Sequence, residues 1–132
     1  MRMVVDANVV VSAVLGKRNP VAAALARGLE LFIPEAQLDE AVRVVARLGD
    51  VGIGEARRLI ADATAGFAFL QLQDLAEVEH SARARLEARG QSDWPVLAAA
   101  ILLEGHIWSR DRDFFGVGVP VWSTRNIGFA TA

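Results

Sequence analysis

Short apolar runs alternate along the whole chain with longer segments of helical periodicity, and this alternation restricts the fold more than any other feature. The apolar runs end at polar residues or turns, as buried strands of a parallel sheet do. The longer segments repeat apolar residues every three or four positions, as in Leu38, Ala41, Val45 and Leu48. Strands separated by helices predict a mostly parallel sheet flanked by helices, in a single α/β domain over residues 1–132.

Periodicity, proline and glycine give the predicted elements. The predicted strands are 2–6, 31–33, 67–72, 106–109 and 119–123. The predicted helices are 9–15, 20–30, 34–48, 55–65, 74–88 and 93–104, with a helical turn at 112–115. Asp74 is predicted to cap its helix. Pro120 predicts an edge position for the last strand, because proline has no backbone N–H to donate.

The composition excludes several classes of protein. There is no cysteine, so disulfides, thiolate chemistry and cysteine-ligated zinc are excluded. No apolar run approaches the roughly 20 residues that span a bilayer, and Asp6 interrupts the apolar stretch that would otherwise resemble a signal peptide. We therefore expect a cytoplasmic protein without membrane association. The net charge of -2 argues against a strongly basic nucleic-acid binder, although the cations are nearly all arginine and Lys17 is the only lysine.

Four acidic residues stand where predicted strands or helices begin or end. Asp6 closes the first strand, Glu40 lies on the helix that follows Pro34, Asp93 opens an almost wholly apolar helix, and Asp111 follows a late strand. In an open α/β sheet, the carboxyl ends of the strands and the adjoining helix starts share one edge. Carboxylates gathered there repel one another, and a hard divalent cation relieves that repulsion. The sequence therefore predicts a Mg²⁺ or Mn²⁺ site.

Each acid also fits a purely structural role when it is considered alone. Asp6 or Asn8 fits a helix N-cap, and so does Asp93. Glu40 fits a solvated helix carboxylate, with Asp39 and Glu35 as neighbouring alternatives. The acids after the late strand fit a turn cluster neutralised by alternating arginines. The case for a metal site rests on the conjunction of all four positions.

The two histidines are poorly placed for acid–base catalysis. His80 lies in the middle of a predicted helix, and His106 begins a strand at the end opposite to Asp111. A ribonuclease that acts through paired histidines is therefore disfavoured.

Three segments of the chain resemble the PIN-domain family of metal-dependent nucleases, and within it the short single-domain VapC-like toxins. The similar segments are Val4 to Val9 with Ser12, Pro34 with Glu40, and Ser92 to Ala100 followed by Ile107 to Gly116. Their order and spacing extend over nearly the whole chain. Ser109 stands where the family often has threonine, which keeps the hydroxyl, and the segment around Glu40 matches only loosely.

The resemblance implies roles for particular residues. Metal-binding and catalytic acids would be Asp6, Glu40, Asp93 and Asp111, with Asp113 as an accessory acid and with Asn8 and Ser109 as polar supports. Asp6 and Asp93 would be the best direct ligands of Mg²⁺, for which Mn²⁺ can substitute. The expected activity is endonucleolytic hydrolysis of single-stranded or loop RNA by a metal-activated water, which leaves a 5′-phosphate. The expected phosphate contacts are Arg110, Arg112, Lys17 and Arg18.

A toxin of this kind also implies partners. We expect a small cognate antitoxin whose tail covers the acidic site, as in a type II toxin–antitoxin pair, and a homodimer that completes the groove. The candidate surfaces for both are the apolar helix faces among residues 20–65.

Two other functions remain open at this point. One is a catalytically silent PIN-like scaffold that binds a protein partner. The other is a phosphatase of the haloacid-dehalogenase type, because Asp6-Ala7-Asn8 resembles the Asp-x-Asp opening of that class. Asn8 in place of the second acid, and the lack of a late lysine, argue against the phosphatase.

Overall fold

Five parallel strands form one sheet in the order β3-β2-β1-β4-β5. The structure is a computed structural model that describes residues 1–131. Ala132, the last residue of the predicted domain, lies outside the described residues. The strands are β1 Arg2–Val5, β2 Glu30–Pro34, β3 Ala68–Leu70, β4 His106–Trp108 and β5 Val121–Trp122. This arrangement confirms the predicted α/β class with a parallel sheet, and β5 is an edge strand as Pro120 predicted.

Helices connect the strands and cover both faces of the sheet. Within residues 1–131 they are α1 Ala7–Leu15, α2 Pro20–Ala26, α3 Glu35–Leu48, α4 Ile53–Ala63, α5 Leu72–Leu75, α6 Glu79–Arg85 and α7 Trp94–Leu103. Short 3₁₀ turns occur at Ala76–Val78, Ala88–Asp93, Arg112–Phe114 and Ile127–Phe129.

Two hydrophobic cores lie on opposite faces of the sheet. Met3 and Val5 of β1 pack into the core formed with α1 to α4, whereas Val4 between them packs into the core formed with α5 to α7. This alternation follows from the two-residue period of a strand. Helix α7 is apolar on all sides because it is buried against the sheet and against α5 and α6.

The prediction of one helix over 74–88 is wrong. The segment instead contains α5, a 3₁₀ turn and α6. Gln71, not Asp74, is the N-cap, and the Asp74 carboxylate accepts a hydrogen bond from the Gln71 N–H at 2.9 Å. This reciprocal capping box begins the helix earlier than the sequence pattern indicated.

The predicted helix over 20–30 is too long. Helix α2 ends at Ala26, and Gly28 then adopts a positive φ of 89°. That backbone conformation suits glycine and turns the chain, so that Glu30 already belongs to β2.

The chain contains no single helix within residues 1–131 that is long and apolar enough to cross a membrane. Only α1 and α2 taken together reach that length and composition, and they are bent by 106° relative to each other.

Candidate metal centre

The strand order places the candidate site at the point where the sheet changes direction. From β1 the chain adds β2 and β3 on one side and β4 and β5 on the other. Asp6 follows β1 and Asp111 comes shortly after β4, and these two strands are parallel neighbours with Val5 opposite Trp108. Their carboxyl ends therefore meet at the switch point, where open α/β sheets bind ligands.

Asp6 is buried and is held by three hydrogen bonds. Its Oδ1 accepts the Ala7 N–H at 2.8 Å, and its Oδ2 accepts the Ser109 hydroxyl at 2.7 Å and the Asn8 amide at 3.2 Å. The side chain is 4% exposed. Asp6 is thus the N-cap of α1, and its charge also acts on Asp93. The capping role and a role at the acidic site are therefore compatible.

The turn after β4 is fixed by a chain of short-range hydrogen bonds. Ser109 Oγ accepts the Asp111 N–H at 2.9 Å while it donates to Asp6. The Asp111 carboxylate in turn accepts the Asp113 N–H at 2.9 Å. The hydroxyl of Ser109 therefore links the acids that follow β1 and β4.

Asp93 is the N-cap residue of α7 by position, but its side chain makes no capping hydrogen bond within residues 1–131. The loop before it is held by Gln91, whose amide donates to the carbonyls of Arg83 and Leu86 at 2.8 and 2.9 Å. The Asp93 carboxylate consequently remains available to the acidic group rather than to its own helix.

The ligand oxygens of Asp93, Asp111 and Asp113 lie within 4.8 Å of one another. A set of hard oxygen donors at this spacing suits Mg²⁺ or Mn²⁺. Asn8 Oδ1 is buried beside this group and has no hydrogen-bond partner among residues 1–131, because the amide nitrogen points to Asp6 and Ser109. An orphaned acceptor next to clustered carboxylates fits a site that is completed by a hydrated cation.

The pKa values of Asp6 and Asp93 are raised above the ordinary value of an aspartate. Burial raises the pKa of Asp93 to about 7, and the negative charges of Asp6 and Asp111 add to this effect. Burial also raises the pKa of Asp6, while the hydrogen bonds from Ser109 and the Ala7 N–H oppose the increase.

Of the two neighbouring acids on α3, Glu40 and not Asp39 acts on the charges of the site. Its charge raises the pKa of both Asp6 and Asp93, so it lies within electrostatic range of them. Asp39, the next residue on α3, instead lines a groove between α3 and α4.

The predicted phosphate contacts divide into two groups. Arg110 and Arg112 are exposed and line a cavity of about 460 Å³ together with Asn8, Arg89, Asp111 and Asp113. Lys17 and Arg18 follow the other end of α1, about 13 Å from its N-cap along the helix axis for a helix of 9 residues. The structure therefore brings the first pair to the acids and leaves the second pair apart.

Two residues that shape the site, Arg89 and Gly90, were not among the predicted site residues. Arg89 Nε donates to Asp113 at 2.8 Å, and a Cβ on Gly90 would lie 3.0 Å from the Asp113 Cβ. The only sequence signal was the glycine shortly before Asp93, since a buried loop glycine often marks a close approach. The structure places Asp113, predicted as an accessory acid, with Asp93 and Asp111 in the group whose ligand oxygens lie within 4.8 Å of one another, and the predicted ligands Asp6 and Glu40 lie outside that group.

His106 begins β4, at the end of the strand opposite to Asp111 as predicted, whereas His80 is the second residue of α6 and not in the middle of a helix. His106 begins β4 and accepts a hydrogen bond from the Trp122 indole at 2.9 Å, with the two rings stacked. His80 is exposed on α6.

A comparison with protein families finds a match to the PIN domain over residues 4–132. No curated protein sequence matches the chain significantly.

Several solved structures have the same fold. VapBC2 from Rickettsia felis bound to a promoter DNA fragment gives a TM-score of 0.73 at 14% identity, covering 93% of this chain and 98% of that one. A toxin–antitoxin complex from Klebsiella pneumoniae gives 0.68 at 20% identity, covering 92% and 97%. VapBC-1 from nontypeable Haemophilus influenzae gives 0.67 at 12% identity, covering 95% and 99%. At these identities the similarity establishes the fold.

Proposed function

The chain belongs to the PIN-domain family, and from this premise we propose that it is a metal-dependent endoribonuclease, the toxin of a type II toxin–antitoxin pair. The observation that carries the proposal is the acidic group at the switch point, where Asp93, Asp111 and Asp113 bring ligand oxygens within 4.8 Å of one another and the charges of Asp6 and Glu40 act on Asp93. A folded protein that keeps repelling carboxylates together must gain something from them. A bound divalent cation provides that gain.

The residues that would hold Mg²⁺ or Mn²⁺ are Asp6, Asp93 and Asp111, with Glu40 acting through water and Asp113 as an accessory acid. Asp6 retains ligand capacity despite its hydrogen bonds, because each carboxylate oxygen has two lone-pair sites. When bound, the cation lowers the pKa of a coordinated water and stabilises charge on the phosphoryl oxygens.

The remaining work is done by side chains of the protein. Ser109 and Asn8 orient Asp6. Glu40 or Asp111 accepts the proton of the attacking water, and the guanidinium groups of Arg110 and Arg112 contact the phosphates. Attack by water leaves a 5′-phosphate and does not require the RNA 2′-hydroxyl.

The proposed substrate is single-stranded or loop RNA in the cytoplasm. An accessible strand can bend a phosphodiester into the acidic site, whereas an A-form duplex presents a regular and rigid backbone. Lys17 and Arg18 would contact only a part of the strand that is distant from the cleaved bond.

The proposed partners are a small antitoxin and a second copy of the chain. The similar structures from Rickettsia felis, Klebsiella pneumoniae and Haemophilus influenzae are toxin–antitoxin or VapBC assemblies. The antitoxin tail would cover the acids, and its apolar part would fit the groove between α3 and α4, which has a volume of about 680 Å³.

The test is incubation of the purified protein with end-labelled RNA in Mg²⁺, Mn²⁺ or chelator, beside Asp6→Asn and Asp93→Asn. We expect cleavage that requires the metal and is reduced at least about 100-fold in both variants, since each removes a ligand. Asp39→Asn is the matched control. It removes one carboxylate charge, as the two test variants do, but Asp39 lines the groove between α3 and α4.

Equal cleavage by the wild type and by both variants would identify a contaminating nuclease and contradict the proposal. RNA or protein binding without any cleavage would instead support the silent scaffold. The family match leaves the haloacid-dehalogenase alternative without support.

A further inference from the structure

We propose that single-stranded RNA continues from the metal centre into an adjoining arginine-lined cavity, where Phe115 stacks on a base. This inference rests on the proposed function and names a part of the substrate path that the acids do not explain. The cavity, called here the arginine cavity, has a volume of about 190 Å³ and is lined by Arg85, Glu87, Arg89, Arg112, Asp113, Phe115 and Gly116.

The arginine cavity adjoins the cavity at the metal centre. Arg89, Arg112 and Asp113 line both this cavity and the larger one that contains Asn8 and Asp111. A strand whose phosphate lies against the acids therefore passes these three shared residues to reach the arginine cavity.

The turn that carries Asp111 also holds Phe115 at the surface. The Phe115 N–H donates to the Arg112 carbonyl at 3.0 Å, which closes the turn. Phe114 points inward and is 0% exposed, whereas Phe115 is 65% exposed. Gly116 follows with a positive φ of 78°, a conformation that suits glycine and turns the chain directly after the aromatic residue.

The charges around Phe115 favour a phosphate backbone. Three arginines and two acids, Glu87 and Asp113, line the cavity, so its formal charge is positive. Arg85 donates to the neutral Val117 carbonyl at 3.2 Å and forms no ion pair within residues 1–131. Arg112 forms no ion pair within residues 1–131, whereas Arg89 is paired with Asp113. A cation bound by the acidic group would neutralise part of the negative charge of Asp113. Arg89, which is paired with Asp113, would then contribute more positive charge to the arginine cavity.

An exposed aromatic ring beside guanidinium groups is the combination that single-stranded nucleic acid requires. The ring stacks on an unpaired base and the arginines contact the flanking phosphates. A duplex cannot use the ring, because its bases are already stacked inside the helix.

The experiment measures binding of a fluorescent single-stranded RNA of about ten nucleotides by anisotropy, in the Asp6→Asn background so that no RNA is cut. We expect Phe115→Ala to weaken binding about 5- to 100-fold without changing the salt dependence, and Phe115→Trp to retain it. We expect Arg112→Gln to reduce the slope of log K against log salt by about 0.7, the value for one phosphate contact on a single strand.

Two control variants match these changes. Phe129→Ala removes a ring that is 81% exposed but lies between Ile127 and Ala130, which belong to the core on the other face of the sheet. Arg47→Gln removes an exposed charge from α3. Both should bind RNA as the background protein does.

Equal binding by the Phe115→Ala and Phe129→Ala variants would overturn the inference, and so would duplex RNA that binds as tightly as the single strand. Because the assay needs no cleavage, its failure is separable from that of the proposed function. Loss of binding in Phe115→Ala supports the path even if the wild type cuts no RNA.

Discussion

At the scale of single residues, Asp6 has a structural role as the N-cap of α1 and an electrostatic effect on Asp93. It caps α1 and accepts a hydrogen bond from the Ser109 hydroxyl, so replacing one of its oxygens by the NH2 group of asparagine would leave a donor without its acceptor. At the same time its charge lies close enough to Asp93 to raise the pKa of that residue. For this reason Asp6→Asn changes two properties together, whereas Asp93→Asn isolates the electrostatic one.

The pKa of Asp93 makes a prediction for stability in the absence of metal. Because its folded-state pKa is about 7 and the ordinary value is 3.8, the folded protein binds more protons than the unfolded chain between these pH values. The contribution of Asp93 to stability is therefore most favourable below about pH 4 and is lost as the pH rises to about 7. In chelator, Asp93→Asn should melt higher than the wild type at pH 8, by at least about 3 °C, and not at pH 4.

Thermal melts at several pH values, with and without Mn²⁺, measure this effect. Mn²⁺ should raise the melting temperature of the wild type and remove the advantage of the variant, because only the wild type keeps the full ligand set. Asp39→Asn should shift the melting temperature little at any pH, since Asp39 is an exposed surface residue. A pH-independent difference between Asp93→Asn and the wild type would contradict the prediction.

At the scale of elements, α7 delivers Asp93 to the sheet edge, and its other end must approach β1 closely. The helix ends at Glu104, which adopts a left-handed conformation with a φ of 52°, and Gly105 leads into β4. A Cβ on Gly105 would lie 2.8 Å from the Arg2 carbonyl oxygen. Gly105 is therefore required by close packing, while the left-handed turn itself is made by Glu104.

Alanine substitutions at two glycines should have opposite effects. Gly105→Ala should lower the free energy of unfolding by about 1–3 kcal/mol, because the added methyl group would force the backbone at residue 105 away from Arg2 of β1. Gly54→Ala in α4 meets no atom within 4 Å and should leave stability unchanged or raise it by up to about 1 kcal/mol. Urea unfolding of both variants measures the difference, and equal destabilisation would contradict the packing argument.

At the scale of the whole molecule, the protein presents two surfaces with different chemistry. The acids and arginines lie at the carboxyl edge of the sheet. The groove between α3 and α4 is lined mainly by apolar residues, and Ile53 and Phe69 in it are 47% and 49% exposed. A partner that covers both surfaces would bury apolar area at the groove and place charged groups at the acids.

Substitutions in this groove are predicted to weaken antitoxin binding without affecting RNA cleavage. Ile53→Asp and Phe69→Asp should weaken the complex with the proposed antitoxin at least tenfold, because each buries a charge in an apolar interface. RNA cleavage should persist in both. Leu48→Asp is the control, since Leu48 is 62% exposed on α3 but lies outside the groove. Co-expression with the product of the neighbouring reading frame, followed by size-exclusion chromatography, would measure the effect, and intact complexes in both groove variants would contradict it.

The sequence by itself determined the fold class and, apart from the segment 74–88, the order of the strands and helices along the chain. Alternation along strands and helical periodicity are local properties, so residues 2–6 and 93–104 were recognisable as a strand and a helix. It also indicated which acids stand at element ends, since Asp6, Asp93 and Asp111 each adjoin an apolar segment. Local pattern did not fix helix ends such as Ala26, where a single glycine and its capping hydrogen bonds decide the boundary.

Only the tertiary structure decided which side chains meet. Asp39 and Glu40 are neighbours in sequence, yet the charge of Glu40 acts on Asp6 and Asp93, whereas Asp39 lines the groove between α3 and α4. Arg89 reaches Asp113 because the loop before α7 packs against the turn after β4. Such contacts join residues far apart in the chain. Their distances depend on how the two cores pack against the sheet, and no local pattern in the sequence records that.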